Sequence, residues 1–147
     1  MSRASRLEPI AEYAGKLEDE AARRLAASAG AIQTRERELE KLRSYLAEYR
    51  QRDEQAASAA SADPLRWQNG RAFLARLCAA VAAQESELQK AVESYRLEIE
   101  RWRDSYRRSK SLDQLIERSE REEHQQIEKR AQAELDELAM RRSLGEQ

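Results

Sequence analysis

The sequence predicts an all-α protein, two long helices in an antiparallel coiled-coil hairpin, and three observations carry that expectation. Leu25, Ile32, Leu39 and Leu46 fall at intervals of seven, and so do Leu74, Val81, Leu88, Tyr95 and Trp102. An apolar stripe of that period belongs to a helix that packs against another helix. The residues that favour turns are concentrated in one stretch, Ala56 to Gly70, with its Ala/Ser run, Asp63-Pro64 and Asn69-Gly70. Finally, facing 46 with 81, 39 with 88, 32 with 95 and 25 with 102 centres the two stripes on Asp63-Pro64.

The elements follow in order. Helix one is expected over about residues 5–57, with Pro9 tolerated in its first turn and Gly15 and Gly30 weakening it without ending it. Its seam would run through Ile10, Leu17, Ala21, Leu25, Ile32, Leu39, Leu42, Leu46 and Tyr49. The steps of four and four at Leu17, Ala21 and Leu25 predict a local interruption of the supercoil. The connection is expected over 58–70, with a short helical turn capped by Asp63 within its scope. Helix two is expected over 71–142, with Leu74, Cys78, Val81, Leu88, Val92, Tyr95, Ile99, Trp102, Tyr106 and Ile116 on its seam. That seam falters where Ser109 and Asp113 take core positions and Leu112 and Leu115 lie beside them. The whole chain, 1–147, reads as one elongated coiled-coil domain.

Composition narrows the function. Of 147 residues, 37% are charged and 40% hydrophobic, which suits a coiled coil better than a globular core. Lys and Arg number 27 against 28 Asp and Glu, so bulk charge points to neither nucleic acid nor a membrane surface. The longest apolar run, Leu77 to Ala83, is too short to span a bilayer, and the opening Met-Ser-Arg-Ala-Ser-Arg carries no apolar signal core. The expectation is a cytoplasmic protein with no direct membrane insertion. Cys78 stands alone in apolar register, as a small core residue rather than a reactive thiol.

Catalysis finds no support, because the single histidine, His124, follows the charged run Glu120 to Glu123 without a second ligand or nucleophile. No cofactor and no metal site are expected. The cluster Arg101, Arg103, Arg107, Arg108 and Lys110, with Trp102 and Tyr106 between, resembles a nucleic-acid patch only superficially, since Glu98, Glu100 and Asp104 sit among the cations.

Two places exceed what a two-helix seam requires. Near the turn, Leu42, Tyr45 and Tyr49 lie on one face, and Phe73, Leu77 and Ala80 repeat the pattern one place off 74, 78 and 81. Together they predict an apolar ledge, either a protein-binding site or a surface covered by Leu65 and Trp67 of the connection. Beyond residue 124, helix two outruns helix one, yet Ile127, Ala131, Leu135 and Leu138 still form a stripe. An amphipathic helix without a partner requires one from outside the hairpin.

An ordered series of residues resembles the flagellar FliJ family over nearly the whole chain. It consists of Arg6-Leu7-Glu8-Pro9, then Leu39, Leu42, Tyr45 and Tyr49, then Phe73-Leu74, Arg76-Leu77 and Gln84. Trp102, the segment Lys110 to Arg118 with Leu112, Leu115 and Ile116, and the acidic Glu134-Leu135-Asp136-Glu137 complete it. Gln132-Ala133 departs from the family pattern. The resemblance implies a coiled coil similar to that of the rotary-ATPase γ subunit, acting in flagellar type III export. It further implies a non-enzymatic stalk between the export ATPase hexamer (FliI-like) and the export gate protein (FlhA-like), peripheral at the cytoplasmic face of the inner membrane. Leu42, Tyr45, Tyr49, Phe73, Leu77 and Ala80 would bind the gate, and Ile127, Ala131, Leu135 and Leu138 the ATPase ring. Escort of export chaperones is also implied, without assignable residues. The free protein is expected to be a monomer. The rival readings are the corresponding stalk of a virulence injectisome and a dimeric structural coiled-coil scaffold.

Overall fold

A computed structural model describes residues 2–57 and 63–145. Two helices, α1 (Arg3–Ala57) and α2 (Pro64–Gly145), account for nearly all of them and pack together as an antiparallel hairpin. The start of α2 differs from expectation by seven residues. Asp63 accepts the Leu65 amide on its carboxylate at 3.1 Å, and its carbonyl takes the Trp67 amide at 3.0 Å. Asp63 is thus an N-cap with Pro64 in the first helical position, where a missing N–H costs nothing. Asn69 and Gly70 lie within the helix. The Ala/Ser run at 58–62 lies outside the described residues.

By its internal contacts the chain divides into two units, residues 21–101 and residues 1–20 with 102–147. In the first, Leu39, Leu46 and Val81 are buried, and Leu42, Leu74, Leu77, Cys78 and Leu88 pack against them. The Tyr49 and Phe73 rings lie 4.7 Å apart, and Asp53 and the Tyr49 hydroxyl flank Gly70. Across the seam Arg43 reaches Glu85 at 3.2 Å, Arg50 the Cys78 sulfur at 3.6 Å, and Arg35 the Gln84 amide oxygen at 3.4 Å. These contacts centre on a register that sets Leu46 opposite Leu77 and Leu42 opposite Val81. That is about one helical turn away from the facing of 46 with 81. The reason is the geometry of antiparallel seams. Buried and half-buried positions step by three and four along each helix, and with the directions opposed, a residue that precedes a step of three faces one that follows it. Series of sevens compare like with like and miss this alternation.

In the second unit the buried residues are small: Ala4 and Ala14 from α1, Ser109 and Ser119 from α2. Ile10, expected on the seam, is 53% exposed, because Leu7, Ala11 and Ala14 take the inward positions. Tyr106 is likewise outside, stacked at 5.5 Å on Trp102, while Ser105 is half-buried in its stead. Asp113 is exposed and Leu112 half-buried. Leu17 and Glu18 are both half-buried ahead of Ala21 and Leu25, so the four-and-four step of Leu17, Ala21 and Leu25 stands beside a regular four, three and four through Ala14 and Glu18.

Gly15 and Gly30 sit in the interior of α1 with nothing within 4 Å of where a Cβ would stand. Gly15→Ala and Gly30→Ala are each expected to stabilise the hairpin by up to about 1 kcal/mol, through helix propensity alone. Thermal unfolding followed by circular dichroism checks this; a lower midpoint for either would mean that an Ala methyl is not accommodated there.

Candidate partner-binding surfaces

Of the six residues expected in the ledge, Tyr45, Tyr49, Phe73 and Leu77 line one open groove of about 330 Å³ within the unit 21–101. Helix periodicity builds it from both sides. Tyr45 and Tyr49 are four apart on α1, Phe73 and Leu77 four apart on α2, and each pair shares a face. Tyr45 is 65% and Phe73 45% exposed, whereas Tyr49 and Leu77 are half-buried and form the floor. Leu77 is not beside the seam as expected; it packs on the core cluster, and so does Leu42, which does not line the groove. Ala80 is half-buried and also outside it. Two lining residues were missed by the sequence reading, Glu48 and Arg52. Their spacing of three and seven puts them on the face of Tyr45, a placement shared by too many charged residues to mark them out.

Leu65 and Trp67 do not cover the ledge. Both are exposed, and Trp67 instead receives the Arg71 guanidinium at 4.6 Å from its ring centre. The groove is therefore open to solvent, with Tyr49 and Leu77 as its floor and Tyr45 and Phe73 exposed at its sides.

The second surface is the end of α2. Glu123 is the last half-buried residue, and every described residue from His124 to Gly145 is exposed. Ile127, Leu135 and Leu138 are more than half exposed, Ala131 lies between them, and Met140 and Leu144 extend the apolar character further than the sequence reading had taken it. What supports this helix is local: His124 with Glu128 at 3.0 Å, Gln132 with Asp136 at 3.1 Å and Arg141 with Glu137 at 3.2 Å. Exposed pairs of this kind contribute only a few tenths of a kcal/mol each. Ile10 and Tyr13 add two further exposed apolar side chains on α1.

The remaining candidates resolve as ordinary surface or core. Arg101 pairs with Glu98 at 3.1 Å and Arg107 with Asp104 at 3.7 Å, so these cations of the basic cluster are partly neutralised in place. Lys110 lies 6.0 Å over the Tyr106 ring. Cys78 is half-buried and packed against the core. Among the described residues, no group of three or more His, Cys, Asp or Glu could hold a metal ion, and no helix is long and apolar enough to cross a membrane.

The family model of the flagellar FliJ protein matches residues 2–147. No curated protein and no solved structure matches the chain. With a match over practically the full length, the chain belongs to the FliJ family of flagellar export proteins, and its part in flagellar protein export is not enzymatic.

Proposed function

We propose that the hairpin is a stalk of the flagellar type III export apparatus that engages two partners at once, the export gate protein and the export ATPase ring. The carrying observation is the accessible groove of Tyr45, Tyr49, Phe73 and Leu77, an apolar surface that the hairpin leaves uncovered. The groove serves the gate, and Leu42 and Ala80 belong to the same proposed site although they do not line the groove. The exposed stripe Ile127, Ala131, Leu135 and Leu138 serves the ATPase ring. The two surfaces belong to different units of the chain, so occupying one does not consume the residues of the other. Assembly with these partners holds the protein at the cytoplasmic face of the inner membrane. Escort of export chaperones belongs to the same reading, without assigned residues. Because each helix already satisfies the other's seam, the free chain is a monomer.

The groove is tested by Tyr45→Ala and Phe73→Ala, singly and together, with the purified cytoplasmic part of the gate protein as ligand. Exposed anchors of this kind give losses of roughly 1–2 kcal/mol each, or about five- to thirtyfold in Kd. Far-ultraviolet circular dichroism should remain unchanged, since both side chains lie at the edge of the seam. Unchanged affinity in the double variant would remove the gate from this surface.

A further inference from the structure

Arg52 and Glu48 give the groove a chemistry that its apolar floor alone does not. Both line it, both are exposed, and neither takes part in an ion pair or hydrogen bond among the described residues. The arginines of α1 that reach across the seam contrast with Arg52. Arg35 is held by Gln84 and Glu87, Arg43 by Glu85, and Arg50 by the Cys78 sulfur. Arg52 lies on another side of the helix, on the stripe of Tyr45, Glu48 and Tyr49, where α2 supplies only Phe73 and Leu77 to the groove. An arginine lining the same apolar groove as three aromatic side chains is the composition of an interface hot spot, whereas Glu is depleted from such places. Glu48 precedes Arg52 by four residues, the favourable order for a pair within a helix, and is nevertheless not bonded to it. An intrahelical contact so weak does not compete with a carboxylate that approaches the fork of the guanidinium with both oxygens.

We infer that the segment of the partner docking in this groove carries a carboxylate beside its apolar anchor, and that Arg52 reads that carboxylate and so sets the register of docking. The inference rests on the reading of the groove as the gate-protein site and specifies the chemistry of the segment it accepts. The apolar anchor fills the space between Tyr45 and Phe73, and the acid closes over Arg52 at the rim. Glu48, on the same rim, disfavours a segment docked in the reverse sense, because the acid would then meet a like charge.

The experiment measures binding of the cytoplasmic part of the gate protein to the wild type and to Arg52→Gln, Arg52→Lys, Glu48→Gln and Phe73→Ala. Expected are a loss of about tenfold for Arg52→Gln, a partial loss for Arg52→Lys, and equal or tighter binding for Glu48→Gln, which removes the competing anion. The dependence of affinity on salt should be shallower in Arg52→Gln than in the wild type. If Phe73→Ala weakens binding while Arg52→Gln leaves it unchanged, the acid is absent and the inference is overturned, although the groove still binds the gate. Loss in Glu48→Gln with none in Arg52→Gln overturns it in favour of a basic segment. Full affinity in Phe73→Ala and Arg52→Gln alike overturns both the inference and the assignment of the groove. All three positions lie at the rim or edge of the seam, and unchanged circular dichroism verifies that each variant is folded.

Discussion

Ending the chain at Glu123 is expected to abolish association with the export ATPase while the hairpin stays folded. The argument begins with seam phase. On α2 the inward positions step through Leu112, Ile116, Ser119 and Glu123, and the same steps continued would reach Gln126 and Arg130, which are polar. The apolar residues Ile127 and Ala131 come one place later, about 100° around the helix. Over residues 126–131 the stripe of the overhang is therefore not the seam prolonged. Further on, the seam phase passes through Ala133, Glu137, Met140 and Leu144, so apolar side chains return to it as well, all of them but Glu137 available with Ile127, Ala131, Leu135 and Leu138 to an external partner. Every described residue beyond Glu123 is exposed, so truncation there removes no packing. The midpoint of thermal unfolding should stay within a few degrees of the full-length value, helical signal should fall in proportion to the residues removed, and binding to the gate should be unaffected. Binding to the purified ATPase, measured by co-sedimentation or interferometry, should drop below detection. In the full-length chain, Leu135→Glu with Leu138→Glu should do the same without shortening the helix. Persistent ATPase binding in both would locate the contact elsewhere, with Ile10 and Tyr13 the next surface to examine.

Period seven made the fold legible, because nothing but a helix partnered by a helix hides such a stripe. Register was less legible for two physical reasons. A repeat of seven fixes alignment only modulo one heptad, and antiparallel seams interlock unlike positions, which a comparison of equal positions misplaces by about a turn. The beginning of α2 was misread because Asp63-Pro64 and Asn69-Gly70 carry turn propensity. An Asp and a Pro at a helix start serve as cap and first turn, and packing overrides the weak penalty of Asn-Gly within the helix. Toward the termini the fully buried seam residues are Ala and Ser, whose small side chains leave little trace in a hydrophobicity pattern. Larger neighbours such as Ile10 and Tyr106 were accordingly drawn into positions they do not occupy. At the candidate groove the aromatic and Leu positions were readable from spacing. Glu48 and Arg52 were not, since in a chain that is 37% charged a functional ion has no distinguishing mark until its neighbours are known to be engaged elsewhere.

The largest effect on stability is expected at Leu39. Leu39 is 2% exposed, the lowest exposure of the core cluster, and among the described residues two helices do all the burying. Leu46, at 9%, and Val81, at 8%, share that cluster, and half-buried Leu42, Leu77 and Leu88 pack on it from both helices. Leu39→Ala should cost about 2–4 kcal/mol, lowering the unfolding midpoint by roughly 5–15 °C for a chain of this size. The lower end of that range applies if the helices draw together over the gap, which two slender elements can do more readily than a globular core. Leu39→Met, which conserves volume, should cost less than about 1.5 kcal/mol. Tyr45→Ala, six residues along the same helix but 65% exposed, should shift the midpoint by no more than the ordinary surface scatter of about 0.5 kcal/mol. The three variants thereby separate seam from groove by stability alone. Leu42 and Leu77 pack on the cluster that Leu39 anchors, and Leu77 is also floor of the groove. Gate binding by Leu39→Ala should consequently match the wild type well below its melting range and disappear along with the helical signal on heating. Binding lost at low temperature, with helicity intact, would mean that the core cluster shapes the groove directly instead of merely holding the two helices in register.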